Sequence, residues 1–117
     1  MKKTLTKETL TVKIRQEIYA VPLEDIVYLE NQRRKIFLQM VNGEHTFYGT
    51  FDQVLQELDE RFLRCSKSYI LNMDQIRAMR NNGLDMILMK NGKEIWIGRT
   101  NFLRAKIRFK EYLSRKK

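Results

Sequence analysis

The chain has 117 residues, 43% of them apolar, a formal net charge of +9 and a single cysteine. That length supports one domain with its own core, and no run approaches the roughly 18 apolar residues a bilayer span needs. One cysteine excludes an internal disulfide framework or a cysteine-rich metal site, and with no apolar stretch behind the basic Met1-Lys2-Lys3-Thr4 to make a signal peptide, the expected compartment is the cytoplasm.

Residues 1–9 are polar and Lys/Thr-rich, and read as a flexible lead-in or linker remnant before a domain over 10–117. Leu10, Val12 and Ile14 alternate with Thr11, Lys13 and Arg15, which predicts a half-exposed strand. Ile18-Tyr19-Ala20-Val21 makes a second strand ended by Pro22. A turn at Glu24-Asp25 leads into Ile26-Val27-Tyr28-Leu29, an apolar run expected to be buried on both faces. Polar and cationic residues, Asn31 to Lys35, interrupt the pattern. It resumes over Ile36–Val41, and Asn42-Gly43 is a hairpin signal returning the chain through Thr46–Gly49. Thr50 is a plausible N-cap for a short helix carrying Phe51, Val54, Leu55 and Leu58.

Phe62-Leu63 and Tyr69-Ile70-Leu71 then flank the donor-rich segment Arg64-Cys65-Ser66-Lys67-Ser68, which holds no acid. Ile76, Ala78 and Met79 suggest a strand before the turn Asn81-Asn82-Gly83. Leu84–Met89 and Glu94–Ile97 flank Asn91-Gly92, a second hairpin signal. Thr100 is expected to cap a C-terminal helix with an apolar face of Leu103, Ile107 and Tyr112, flanked by Phe102 and Phe109. Many short strands with a short central helix and a C-terminal helix predict a mostly-β domain rather than a βαβ one.

The charge is unevenly spread. Residues 22–60 hold three basic and eight acidic side chains, a balance of −5, whereas residues 61–117 hold fifteen basic and four acidic ones, a balance of +11. A cationic half of this kind faces a polyanion well.

Enzyme and cofactor signatures are absent. The five glycines, at 43, 49, 83, 92 and 98, form no phosphate loop. His45, the single histidine, has no second metal ligand near it in sequence. Cys65 reads as a small, partly buried residue at a loop edge, with a thiol activated by Arg64 and Lys67 as the lesser alternative. No catalytic, metal or cofactor residues are assigned.

What remains is one arrangement met three times: cationic loop residues beside strand ends, at Arg33-Arg34-Lys35, at Arg64 through Ser68, and at Arg99-Thr100-Asn101. Arginine reads guanine bidentately in the major groove, while Lys, Ser, Thr and helix N-terminal amides suit phosphates. Any one of these is an ordinary polar loop; three on a +9 chain point to nucleic acid. The candidate contacts are Arg33, Arg34, Lys35, Arg64, Ser66, Lys67, Ser68, Arg99, Thr100 and Asn101.

From about Leu10 to Leu113 the chain resembles a LytTR domain, the DNA-binding module of LytR/AlgR-type bacterial response regulators. The matching features run in order: Leu23-Glu24-Asp25-Ile26-Val27-Tyr28-Leu29-Glu30, Phe47-Tyr48-Gly49-Thr50-Phe51, the segment Phe62 to Asn72, Ile76, and Gly98-Arg99. The resemblance implies an elongated stack of small antiparallel sheets whose loops enter successive major grooves on one face of a bent duplex. Arg34, Lys67 and Arg99 then fall at or near the base-reading positions, with Arg33 or Lys35 able to stand in for Arg34. It further implies a transcription regulator acting on paired promoter repeats, so two protomers per site. A receiver domain and a histidine kinase pathway stand upstream if the chain is a response-regulator output domain, and not if it is a freestanding regulator.

Two rivals remain. In one, the basic half meets an acidic partner domain in a protein-interaction module. In the other, single-stranded RNA stacks on exposed rings; Phe37, Phe47, Tyr48 and Trp96 read instead as alternately buried in hairpins, which ranks that reading third.

Overall fold

The computed structural model describes residues 8–116. A two-stranded ribbon comes first, β1 (Thr9–Ile14) paired antiparallel with β2 (Glu17–Pro22). The expected lead-in lies mostly outside the described residues, and Thr9 is already in β1. A 3-10 turn, Leu23–Asp25, leads into the central sheet of β3 (Ile26–Gln32), β4 (Lys35–Met40), β5 (Gly43–Tyr48), β6 (Phe62–Arg64) and β7 (Tyr69–Asn72), in spatial order β5-β4-β3-β7-β6. Between β5 and β6 lies α1 (Phe51–Leu55). A second 3-10 turn, Met73–Gln75, opens a three-stranded sheet of β8 (Ile76–Arg80), β9 (Met86–Met89) and β10 (Glu94–Trp96), and α2 (Arg99–Arg115) closes the chain. Three small antiparallel sheets and two helices meet the mostly-β expectation.

The central sheet is buried on both faces, as the apolar run over Ile26–Leu29 predicts. On one face Leu10, Val12, Leu23, Ile26, Leu29 and Ile70 pack with Phe51 and Val54 of α1. On the other, Val27, Tyr28, Leu63 and Leu71 pack with Ile87, Met89 and Ile95 of the three-stranded sheet and with Phe102, Ala105 and Tyr112 of α2. Cover on both faces buries all four residues Ile26–Leu29, and the bulge between Ile26 and Tyr28 puts Val27 and Tyr28 on the same face.

Local chemistry accounts for the helix starts. Thr50 and Gln53 form a reciprocal capping box, Thr50 Oγ1 accepting from Gln53 N at 3.2 Å and Gln53 Oε1 accepting from Thr50 N at 3.1 Å. At α2 the expected cap is not the actual one. Gly98 is the N-cap, with φ +82°, and its carbonyl accepts from Phe102 N at 2.9 Å. Thr100 is therefore inside the first turn. Only glycine takes that left-handed conformation without strain, so the backbone and not a hydroxyl sets where α2 begins.

The buried face of α2 also differs from the expected one. Phe102, Ala105 and Tyr112 are buried, with Phe109 packed against them, while Leu103 and Ile107 are 41% and 59% exposed. Both stripes recur at helical spacing. The one holding two phenylalanines and a tyrosine prevails because it removes more apolar area from water. A smaller shift occurs at the first hairpin: Met40 pairs directly with Gly43, so the turn residues are Val41-Asn42 and Gly43 belongs to β5.

The far end of α2 is held by Asp74 in the second 3-10 turn. Tyr112 Oη donates to Asp74 Oδ1 at 2.8 Å, and Lys116 Nζ reaches the same oxygen at 2.6 Å. Burial raises the Asp74 carboxyl pKa, but hydrogen bonds from Lys116 and Tyr112, with the charges of Lys116 and Arg61, outweigh it and hold the group below its ordinary 3.8. A depressed carboxylate contributes stability above its unfolded value and loses it as the pH falls through the lower folded one. Below about pH 4 the melting temperature of the wild type should therefore fall more steeply than that of Asp74→Asn. The side chain is 34% exposed, so the contribution at neutral pH is about 1 kcal/mol or less. Parallel melting curves down to acid pH would remove this role.

Candidate nucleic-acid interface

Two of the three candidate segments emerge near one another because of strand register. β3 runs to Gln32 and turns back at Arg33-Arg34, while β7 starts at Tyr69 opposite Glu30. The Arg33-Arg34 turn and the 65–68 loop thus leave the same end of the central sheet. Asn31 N donates to Ser68 O at 2.8 Å across that end. What the sequence presents as a five-residue polar loop is a two-residue turn, with Asn31 and Gln32 in β3 and Lys35 in β4. Arg33 has φ +65°, uncommon for a residue with a side chain and costing roughly 1 kcal/mol.

Inside the second loop, Ser66 Oγ accepts from Ser68 N at 3.1 Å and from Tyr69 N at 3.2 Å, and Cys65 N donates to Tyr69 O at 3.1 Å. Ser66 is thus a brace that closes the loop, leaving Lys67 and Ser68 exposed at its tip. Cys65 is buried, and burial pushes its thiol up to about 12. That disposes of the activated-thiol alternative, since the thiolate is the nucleophile.

Two open grooves meet at Arg64, the last residue before this loop. The larger, about 750 Å³, runs between it and α2; its walls hold Arg64, Lys67, Arg104 and Arg108 with Trp96, and no carboxylate. The smaller, about 410 Å³, lies between the Arg33-Arg34 turn and the start of α1, and includes Tyr48, Asp52 and again Arg64. Arg64 therefore borders both. Its guanidinium lies 5.2 Å from the Phe51 ring centroid and 3.6 Å from Asp52, whose side chain is 90% exposed. So exposed a pair contributes little and leaves the cation available to another anion.

The remaining candidates divide. Asn101 lines the larger groove while its Nδ2 donates to Ile97 O at 3.0 Å, so it also ties down the first turn of α2. Arg99 and Thr100 lie outside both groove walls on that turn. Arg99 Nη1 is 3.7 Å from Asp85 Oδ1, with the Arg99 side chain 70% exposed. Lys35 lies 5.5 Å from the centroid of the Tyr48 ring rather than facing a groove.

A family model described as LytTr DNA-binding domain matches residues 16–110. The chain belongs to the LytTR family. It is similar to Accessory gene regulator protein A of Staphylococcus epidermidis, 29% identical over 97 residues that cover 78% of this chain and 40% of that protein. The protein of the same name from Staphylococcus aureus is 28% identical over 74 residues, covering 62% of this chain and 31% of that one. The chain thus spans well under half the length of these relatives. A solved LytTr DNA-binding domain from Bacillus cereus superposes with a TM-score of 0.73 at 21% identity, covering 88% of this chain and 97% of that one, which establishes the LytTR fold here. The family is one of DNA-binding domains, not of enzymes. Among the described residues no helix is long and apolar enough to cross a membrane, and no group of three or more His, Cys, Asp or Glu is placed to hold a metal ion.

Two pairs of groove residues escape the sequence reading of this LytTR domain. Arg104 and Arg108 lie outside the candidate contacts named from the sequence, yet with Asn101 they fall at i, i+3 and i+7 on one stripe of α2. That spacing is the signal by which they are found. Tyr48 and Trp96, expected to be buried, are 76% and 49% exposed and stand one in each groove. Both lie on edge strands, Tyr48 at the end of β5 and Trp96 at the end of β10, where an outward side chain meets no covering layer.

Proposed function

We propose that the domain binds double-stranded DNA in a sequence-specific manner as the output module of a bacterial transcription regulator, either a response-regulator domain or a freestanding one. The contact surface comprises the Arg33-Arg34 turn with Lys35, the Arg64–Ser68 loop, and the first turns of α2 from Arg99 through Arg108. The observation that carries this reading is the pair of adjoining cationic grooves joined at Arg64. Their cations sit where phosphates and base edges of one duplex face can be met together. Staphylococcal relatives whose names mark them as gene regulators support the transcriptional role. On this reading two protomers occupy a site of paired repeats in the cytoplasm, and an upstream receiver domain and kinase supply the signal.

A duplex selected from a random pool, titrated by fluorescence anisotropy at several salt concentrations, tests the reading. Each neutralised phosphate contributes roughly 0.9 to the logarithmic salt slope, so a handful of contacts makes binding steeply salt-dependent. Arg99→Ala is expected to weaken the selected site by about 1–3 kcal/mol and to blunt its preference over random DNA. An equal loss on both duplexes would move Arg99 to a phosphate. No binding to any duplex at low salt would return the basic half to an acidic protein partner.

A further inference from the structure

We infer that Trp96 is a DNA-contact residue that packs on the apolar surface of a nucleotide, a thymine methyl or a deoxyribose. This rests on the DNA-binding reading above and names a contact that reading lacks. Trp96 ends the edge strand β10, with Ile95 before it buried and its own side chain turned outward, 49% exposed. It stands in the wall of the larger groove beside Lys67, Arg104 and Arg108. Among the described residues no cation or second ring lies against the indole, and its Nε1–H has no acceptor.

Tryptophan combines a large apolar face with one donor, and a half-exposed one with neither ring nor donor engaged leaves both for a ligand. The occupant follows from the rest of the wall. Cations without a carboxylate select a polyanion, and an apolar plane among them selects one whose charges alternate with apolar surface. DNA has that pattern, because deoxyriboses alternate with phosphates along each strand and thymine methyls line the major groove between the strands. The smaller groove also holds an exposed ring, Tyr48 at 76%, beside Arg33 and Arg34, but there Lys35 already lies over the ring and Asp52 stands in the wall, so the unengaged ring is particular to Trp96.

Trp96 is the single tryptophan of the chain, so its emission, excited apart from the tyrosines, reports on this groove alone. Titration of the unmodified protein with its selected duplex, followed at once by anisotropy of labelled DNA and by tryptophan emission, is expected to show quenching that tracks binding. Trp96→Thr, which keeps a strand-forming residue and removes the ring, should weaken binding about tenfold, and Trp96→Phe by less. Replacing thymines by uracils one at a time separates the two sources. A position that weakens the wild type and not Trp96→Thr marks a methyl contact, while uniform tolerance in both, with the tenfold loss intact, marks the sugar. DNA that binds with unchanged emission, or a folded Trp96→Thr within twofold of wild type, overturns this inference and leaves the DNA-binding reading standing. Absence of any anisotropy change overturns both.

Discussion

Asn72→Leu is expected to destabilise the domain by about 2–4 kcal/mol. Asn72 is the one buried polar side chain among the described residues, at 0% exposure. Its Nδ2 donates to Ile26 O at 2.8 Å and more weakly to Leu23 O at 3.5 Å, while its Oδ1 accepts from Asp74 N at 2.9 Å. One amide therefore satisfies backbone groups at the start of β3 and in the second 3-10 turn, the point where the central sheet hands over to the three-stranded one. Leucine fills the volume but removes the side-chain partner of Ile26 O and Asp74 N, while Leu23 O keeps its bond from Ile26 N. Urea unfolding followed by circular dichroism measures the loss. Asn72→Asp separates the parts, since it keeps an acceptor for Asp74 N but loses the donor and buries a charge, and it should cost more than leucine. A leucine variant within about 0.5 kcal/mol of wild type would mean that the network contributes no more than a surface contact.

Arg64→Ala is expected to reduce affinity for a selected duplex by about 1–3 kcal/mol while leaving the fold intact. Arg64 borders both grooves, so its loss removes positive charge from the whole contact face and not from one lobe. Within the protein its attachments are modest: an exposed ion pair with Asp52 and a cation–π contact with Phe51. The contact with Phe51 is worth about 0.5–1 kcal/mol at an exposed site, so the melting temperature should drop only slightly. Arg64→Lys keeps the charge but not the planar fork, and should recover phosphate-driven, salt-dependent binding more than discrimination between sequences. Asp52→Ala frees Arg64 from its competing anion and should raise affinity modestly. An alanine variant that binds as wild type would exclude Arg64 from the interface and with it the idea that the two grooves act as one.

The strands, both helices and the set of cationic loops were legible in the chain because each depends on near neighbours. Alternation over Leu10–Ile14, the unbroken apolar run Ile26–Leu29 and the Thr50 cap are contiguous signals with local causes. The LytTR resemblance over Phe62–Asn72 was equally open, since the segment is one strand, one loop and a returning strand. Choices between locally equivalent options were not. Leu103–Ile107 and Phe102–Ala105–Tyr112 are both helical stripes, and only the sheet beneath α2 selects the second. Thr100 is a good cap in isolation, but Gly98 with φ +82° leaves it inside the first turn.

By itself, then, the sequence determined the inventory: a mostly-β LytTR chain, a basic C-terminal half and three cationic segments. The tertiary structure decided which of those residues meet. Register places the Arg33-Arg34 turn beside the 65–68 loop, and packing of α2 brings Arg104, Arg108 and Trp96 to the same groove while leaving Arg99 outside it, near Asp85. The physical reason is range. Hydrophobic period and capping act over a few residues, whereas a binding face is assembled from side chains as far apart as Arg33 and Arg108, brought together by the shared burial of the two faces of one sheet.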